Sequence, residues 1–500
     1  MKKLTELLSD TLIYGISSVG ARFLNYLLVP FYTKVFAPGA YGVVGLVYSA
    51  IGFLNILFQF GMESAYLRYA ADRDKAPHVF KTLELGVIGI SSVLAIVVWL
   101  LKPWAMPYLG LDAGTHQLYD LMIAVLWFDA VGIVPFAELR LNRQPLVFAS
   151  VKLFHVLVNL ALNFYLVLGV NWGLMAVFFS NMIASLVATL IVLGFTFRLW
   201  RGSFSNNILQ TALKFGIPFV PTGIGYAINE FLDRFFLNSM DPENVTAIYG
   251  AGYTPEGITG IYNACYKLAI FMPLLVQMFR MAWQPFFLRH ADNPEAKGLF
   301  AEVFRFYNMA SALLFLLLAL FAEYIVQIRI PVLDATIIDQ RYWMGLKVVP
   351  LLLLAYWFQG WYTNFTAGVF IREKTRYLPQ ITLMGAAITI AANLVLVPYL
   401  GMMGSAFATL MSYSSMAIML YLHNRKIYPV RYPFRRVLPI MGFSLLIYLL
   451  DYYLFPEGLL GISSGYVTAI LFLVGVAGVF VLGLTDRKAL SQLKQVIANR

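Results

Sequence analysis

A single cysteine, Cys265, in 500 residues leaves no partner for an intrachain disulfide and no sulfur set for a metal. Charge is almost as scarce. Asp, Glu, Lys and Arg make up 12% of the chain, where a soluble domain carries about 25%. That excludes two or three soluble domains as the reading of this length. Long polar connections are missing too. The longest, near Ser239 to Pro255 and Arg329 to Met344, run to less than about 20 residues, too few for a folded domain. Function must therefore sit among the hydrophobic segments. No cofactor and no metal is expected, since His155 stands alone among apolar neighbours.

What fills the space is apolar: 60% of residues are hydrophobic and 16% aromatic, with 37 glycines. These proportions fit helices packed in lipid, with Trp and Tyr at the interfaces and Gly at close crossings. A β-barrel would alternate polar and apolar residues. Runs such as Val87 to Leu101 and Ser311 to Phe321 leave no place for a polar residue at every second position. The fold class is an all-α polytopic membrane protein. A spanning helix needs about 20 mostly apolar residues, and turn and charge signals divide the chain into about 14 such stretches. The first, 11 to 34, follows Lys2 and Lys3 but has full spanning length, carries Arg22 and Asn25, and shows no small-residue cleavage site, so it reads as a retained helix.

Cations orient the array. Of the 36 Lys and Arg, 28 fall at the termini and in alternate connections. Five (Lys34, Lys102, Arg329, Arg341 and Lys347) fall on the other side, and three (Arg22, Arg234 and Lys267) lie inside helices. Cytoplasmic loops hold such an excess, so both termini are expected in the cytoplasm. The formal charge of +11 is then a topology signal, not a sign of nucleic-acid binding. The tail, 486–500, puts Leu490, Leu493, Val496 and Ile497 on one face with Lys488, Lys494 and Arg500 among the rest. It suits the inner headgroups or a plain solvated end.

Internal repetition sets the architecture. Gly42-Val43-Val44-Gly45 and Gly257-Ile258-Thr259-Gly260 open two spans at an offset of 215. Ala161, Asn163, Leu166, Val167 and Ala176 recur as Ala391, Asn393, Leu396, Val397 and Ala406 at an offset of 230. Tyr14-Gly15-Ile16 against Phe215-Gly216-Ile217 pairs spans one and seven. Spans one to six thus match seven to twelve, and an even number keeps the two sets in the same orientation. The expected organisation is a six-helix bundle at 1–200, a second at 201–427 related by a parallel pseudo-twofold axis, two additional helices at 428–485, and the cytoplasmic tail.

The run Arg22-Phe23-Leu24-Asn25 through Pro30-Phe31-Tyr32-Thr33 to Tyr41-Gly42, then Gly61 to Ala70, resembles the polysaccharide flippases of the multidrug/oligosaccharidyl-lipid/polysaccharide exporter superfamily. Asp233-Arg234, the segment 260–264 and the stretch from Asn393 to Gly404 extend the resemblance over the first twelve spans. It implies a flippase, not an enzyme, in the bacterial cytoplasmic (inner) membrane. The flippase would move an undecaprenyl-pyrophosphate-linked oligosaccharide to the outer leaflet for surface polysaccharide such as O-antigen. Its partners would be that lipid-linked oligosaccharide, membrane lipids and a polysaccharide polymerase complex.

Candidate site residues follow from the cost of charge in lipid, about 2.5–3.5 kcal/mol each on insertion scales. Arg22, with Asn25 on its face, and Lys267 would neutralise a pyrophosphate, Arg as a fork and Lys as a point charge. Arg234 would assist near the outer mouth, or pair with Glu230 four residues before it. Lys152, His155, Asn159 and Asn163, at spacings of 3, 4 and 4, form one helical stripe. The stripe suits sugar hydroxyls or interhelical hydrogen bonding. Asp129 could exchange H⁺ or Na⁺, or pair with a buried cation. Glu63, Arg68 and Glu84 read as gate or topology charges near the cytoplasmic interface. Tyr356, Trp357, Gln359, Trp361, Tyr362 and Asn364 read as core packing or a sugar platform. Pro218, Pro221 and Pro273 should kink their helices. The alternative to a flippase is an H⁺- or Na⁺-coupled drug or metabolite antiporter on the same plan. Reporter fusions after Ser203 and Lys426 should register cytoplasm, and those after Asp241 and Gly401 the outside. A reversed signal within the first twelve spans would break the parallel repeat.

Overall fold

A computed structural model describes residues 26, 28–291, 293–454 and 464–484. Arg22, Asn25 and the tail 486–500 lie outside the described residues. The chain is helical almost throughout, with one two-residue antiparallel hairpin pairing Arg329 with Thr336 and Ile330 with Ala335.

Contacts group the chain into two compact units, one holding Ala21–Asn263 with Thr389–Ser405, the other Ala264–Ile388 with Ala406–Arg500. Such grouping by contact does not test the expected symmetry-related halves at 1–200 and 201–427. The first unit contains α1 (Leu28–Val35), α2 (Pro38–Gln59), α3 (Met62–Tyr69), α4 (Ala76–Leu100), α5 (Gln117–Val131), α6 (Ile133–Leu141), α7 (Pro145–Phe164), α8 (Leu174–Thr196), α9 (Asn206–Gly216), α10 (Phe219–Asn238) and α11 (Pro242–Tyr249). The chain passes into the second unit within α12 (Pro255–Ala269), which is followed by α13 (Phe271–Arg289), α14 (Ala296–Gln327) and α15 (Val349–Ile371). Then come α16 (Tyr377–Leu400) and α17 (Met402–Ile427), each divided between the units, and finally α18 (Phe434–Leu454) and α19 (Ser464–Leu484).

Ten spans among the described residues are long and apolar enough to cross a membrane, or eleven if the bent pair α12 and α13 counts as one. Fourteen is therefore not established. α10 and α15 are helical over 20 and 23 residues, but Glu230, Asp233 and Arg234 make the first polar, and Gln359, Asn364 and several Trp and Tyr dilute the second. Trp99, Trp104 and Tyr108 are each more than half exposed at one end of α4 and just beyond it, as interfacial aromatics are.

Proline breaks the helices where expected. α12 and α13 bend by 44° at Ile270, three residues before Pro273, whose missing N–H and ring clash disrupt the preceding turn. Pro218 stands at the break between α9 and α10.

Two sequence matches acquire physical content. Within the first unit, α2 and α12 cross with backbones in contact. A Cβ on Gly42 would lie 2.0 Å from the Glu256 carbonyl oxygen, and one on Gly260 1.9 Å from that of Pro38. Only glycine permits this approach. Asn163 and Asn393, also within that unit, are both wholly buried and bonded alike. Each side-chain amide donates to the carbonyl four residues before it (2.9 Å to Asn159, 2.8 Å to Thr389), and each Oδ1 accepts a hydroxyl (Tyr32 at 2.7 Å, Ser405 at 2.9 Å).

In the second unit, α13 packs on α15, and α14 packs on both α18 and α19. Asn308 Oδ1 on α14 accepts two indole N–H groups, Trp357 at 2.8 Å and Trp361 at 2.6 Å. Both indoles are buried (0% and 6% exposed) and pack around this shared acceptor.

Gly260→Val should force α2 and α12 apart. Overpacking a tight contact costs about 1–3 kcal/mol, so detergent-solubilised variant should melt several degrees lower, while Gly298→Val, in open space, should not. Equal melting temperatures would refute the crossing.

Candidate functional site

A polar cavity of about 370 Å³ lies inside the first unit, among α2, α3, α5, α6, α7 and α8. Its polar lining includes Asn55, Gln59, Asp129, Lys152, His155 and Ser185. Asp129 comes from the middle of α5, the apolar helix in which it is the only central carboxylate, and stands next to Ser185, Lys152 and Asn55. His155 Nε2 and Ser185 Oγ are 3.3 Å apart. The Lys152 ammonium lies 4.1 Å from the centre of the Phe136 ring, a cation–π contact that tethers it beside Asp129. An acid, an ammonium and an imidazole thus share one wet recess at spanning depth, where isolated charges are costly.

The predicted stripe on α7 divides by depth. Lys152 and His155 line the cavity, whereas Asn159 and Asn163 are buried beyond it at 7% and 0% exposure. A helix rises 1.5 Å per residue, so side chains on one face reach different layers. Tyr32 on α1 covers the deeper layer and takes Asn163 as its acceptor. Asn163 is thereby tied to α1, while Asn159 Oδ1 accepts from the Asn163 amide within α7 at 2.9 Å. Asn55 and Gln59, four residues apart on α2, were missed in the sequence, although two amides one turn apart in an apolar span are a legible signal.

Arg234 is 4% exposed. Its guanidinium donates to Asp233 Oδ1 at 2.8 Å and to the Glu230 backbone carbonyl, while Asp233 Oδ2 accepts the Tyr262 hydroxyl at 2.6 Å. The neighbour Asp233 forms an ion pair with it. Lys267 is half-buried in the last turn of α12.

The three charges expected near the interface have different surroundings. Glu63 pairs with Arg140, and Arg68 lies over the Phe215 ring at 4.7 Å. Glu84 instead is wholly buried, with neither carboxylate oxygen hydrogen-bonded, because α4 is covered there by α3, α6 and α9. An unforeseen knot holds the end of the same unit. Glu138 accepts Arg73 through both oxygens (2.7 and 3.2 Å), the Tyr66 hydroxyl at 2.6 Å and the Asn142 amide at 2.6 Å. That carboxylate holds the Arg73 guanidinium above its ordinary value.

Ten or more apolar spans with a polar recess among them define a polytopic helical membrane protein. The fold matches solved structures of that kind. A multidrug resistance MATE family transporter of the MOP superfamily, in an inward-facing conformation, superposes with a TM-score of 0.64 at 15% identity, covering 80% of this chain and 93% of that one. The lipid II flippase MurJ, inward closed, matches with a TM-score of 0.64 at 14% identity over 96% and 99%. A MOP superfamily transporter from Pyrococcus furiosus matches at 0.58 and 14%, over 84% and 95%. No curated protein sequence matches significantly. The sequence profile of polysaccharide biosynthesis proteins matches residues 7–290. The chain belongs to that family.

Cys265 is buried, so introduced cysteines can be read without background. Gln59→Cys and Ser185→Cys should react with a membrane-impermeant thiol reagent in opened vesicles, and Asn163→Cys should not. Equal labelling of all three would show that the recess is not separately hydrated.

Proposed function

We propose that the chain is a flippase for an undecaprenyl-pyrophosphate-linked oligosaccharide, carrying the repeat unit from the inner to the outer leaflet for surface polysaccharide. Membership of the polysaccharide biosynthesis family carries this reading. The cation bias of the loops supports placement in a bacterial inner membrane with both termini cytoplasmic, and the absence of room for a globular domain supports transport rather than group transfer.

In this reading two pseudo-symmetric bundles alternate access, and Arg22 with Lys267 neutralises the pyrophosphate. Asn25 and His155 contribute polar contacts to the sugar. Arg234 contributes mainly by fixing α10 through Asp233, its ion-pair partner. The Asp129 recess serves the coupling ion: an acid, with a hydroxyl and amides around it, can hold H⁺ or Na⁺, and Lys152 competes for the same charge.

That recess is also what favours the second reading, an ion-coupled drug or metabolite antiporter. Purified protein in vesicles containing a fluorescent lipid-linked oligosaccharide separates the two. Arg22→Ala or Lys267→Ala should slow flipping at least about tenfold, the equivalent of one lost charge-assisted hydrogen bond. Arg22→Lys should recover only part of the rate. Asp129→Asn should flip at a rate that no longer responds to an imposed Na⁺ or H⁺ gradient. Wild-type protein that leaves the lipid-linked sugar in place but exchanges organic cations would overturn the flippase reading.

A further inference from the structure

A second polar cavity, about 240 Å³ in volume, lies in the second unit, where α14 and α18 end and α19 begins. Nothing in the flippase reading uses it. Glu323 of α14 and Asp451 of α18 face it together with Lys347 from the turn before α15. Unlike charges in one recess usually join, yet no ion pair links Lys347 to either carboxylate. Asp451 accepts one hydrogen bond, from the Thr468 hydroxyl at 2.8 Å, and keeps acceptor sites open. Glu323 has no hydrogen bond or ion pair among the described residues.

Aromatic faces complete the lining. Tyr448 and Tyr452 stack at 5.9 Å with their rings inclined by 27°. Trp343 spends its N–H on the Ile338 carbonyl at 2.8 Å, so it offers the cavity a ring and no donor.

The lining selects a ligand class. An apolar chain would leave two carboxylates and an ammonium without polar partners. An anion meets two negative charges and one positive. A bound metal would find only two carboxylates, and no group of three His, Cys, Asp or Glu suited to a metal occurs among the described residues. A neutral ring of hydroxyl groups satisfies every feature. Adjacent hydroxyls donate to Asp451 and Glu323, one accepts from Lys347, and the C–H face rests on Tyr452 or Trp343. The volume is below the roughly 300–1,000 Å³ of drug-sized sites, a size for one ring rather than a chain of them.

We propose that this cavity is a subsite for a single neutral pyranose ring. It lies at the end of the helices that the cation count places outside, and its use as a landing point for the sugar of a translocated lipid rests on the flippase reading.

Saturation-transfer difference NMR on the full chain in nanodiscs, with methyl glucopyranoside, methyl N-acetylglucosaminide and methyl glucuronide as probes, tests it. At least one neutral pyranoside should give a saturable signal that falls at least fivefold in Asp451→Asn and in Tyr452→Ala, persists in Tyr452→Phe, and exceeds that of the glucuronide. Glu323→Gln, at an exposed position, serves if Asp451→Asn does not fold, and should weaken the signal likewise. No signal from either neutral probe, a signal indifferent to Tyr452→Ala, or a preference for the glucuronide would overturn the subsite. The vesicle assay stands apart: protein that binds the pyranoside but does not flip keeps the subsite and loses the flippase reading.

Discussion

Lipid offers no hydrogen bonds, and nearly every feature of this protein answers that constraint. A backbone group left unpaired in hydrocarbon costs several kcal/mol, so the described residues are mostly helix, with one small hairpin among them in a connection. The same rule governs side chains. Asn163 and Asn393 turn their amides back onto the preceding helical turn, and Asn308 serves two tryptophans with one oxygen. Many polar side chains in these helices are paired in place, whereas the buried carboxylate of Glu84 is not.

Charges show the same division. Asp233 and Arg234 are neighbours in sequence and partners in space, buried together and sealed by the Tyr262 hydroxyl. Glu138 satisfies Arg73, Tyr66 and Asn142 at once. Such groups hold helices in register. Asp129, Lys152 and His155 instead share a recess with Ser185 and Asn55.

The recess and the outer cavity belong to different units and differ in chemistry. One has Asp129 beside an ammonium and an imidazole, with Glu63 also in its lining. The other has two acids, one ammonium and aromatic ring faces. In the proposed reading the first holds the coupling ion beside His155, which also reaches the sugar, and the second takes a single sugar ring. The prolines at 218 and 273 lie in helices of neither lining, where bends can move helices without dismantling either site.

The sequence by itself determined the class of fold and the break at Pro273, because these depend on composition and local stereochemistry. Gly42 and Gly260 could be recognised as repeat markers, but that each receives a carbonyl of the opposite helix was decided only by the crossing of α2 and α12. The stripe on α7 was legible as one face. Its division into a wet half, Lys152 and His155, and a dry half, Asn159 and Asn163, was not, because depth depends on what Tyr32 covers. Glu84 reads as an interfacial charge from its place near a helix start, and only the helices packed over α4 bury it. Periodicity tells which residues share a face; which faces meet water is a property of neighbours distant in the chain, and the tertiary structure alone supplies them.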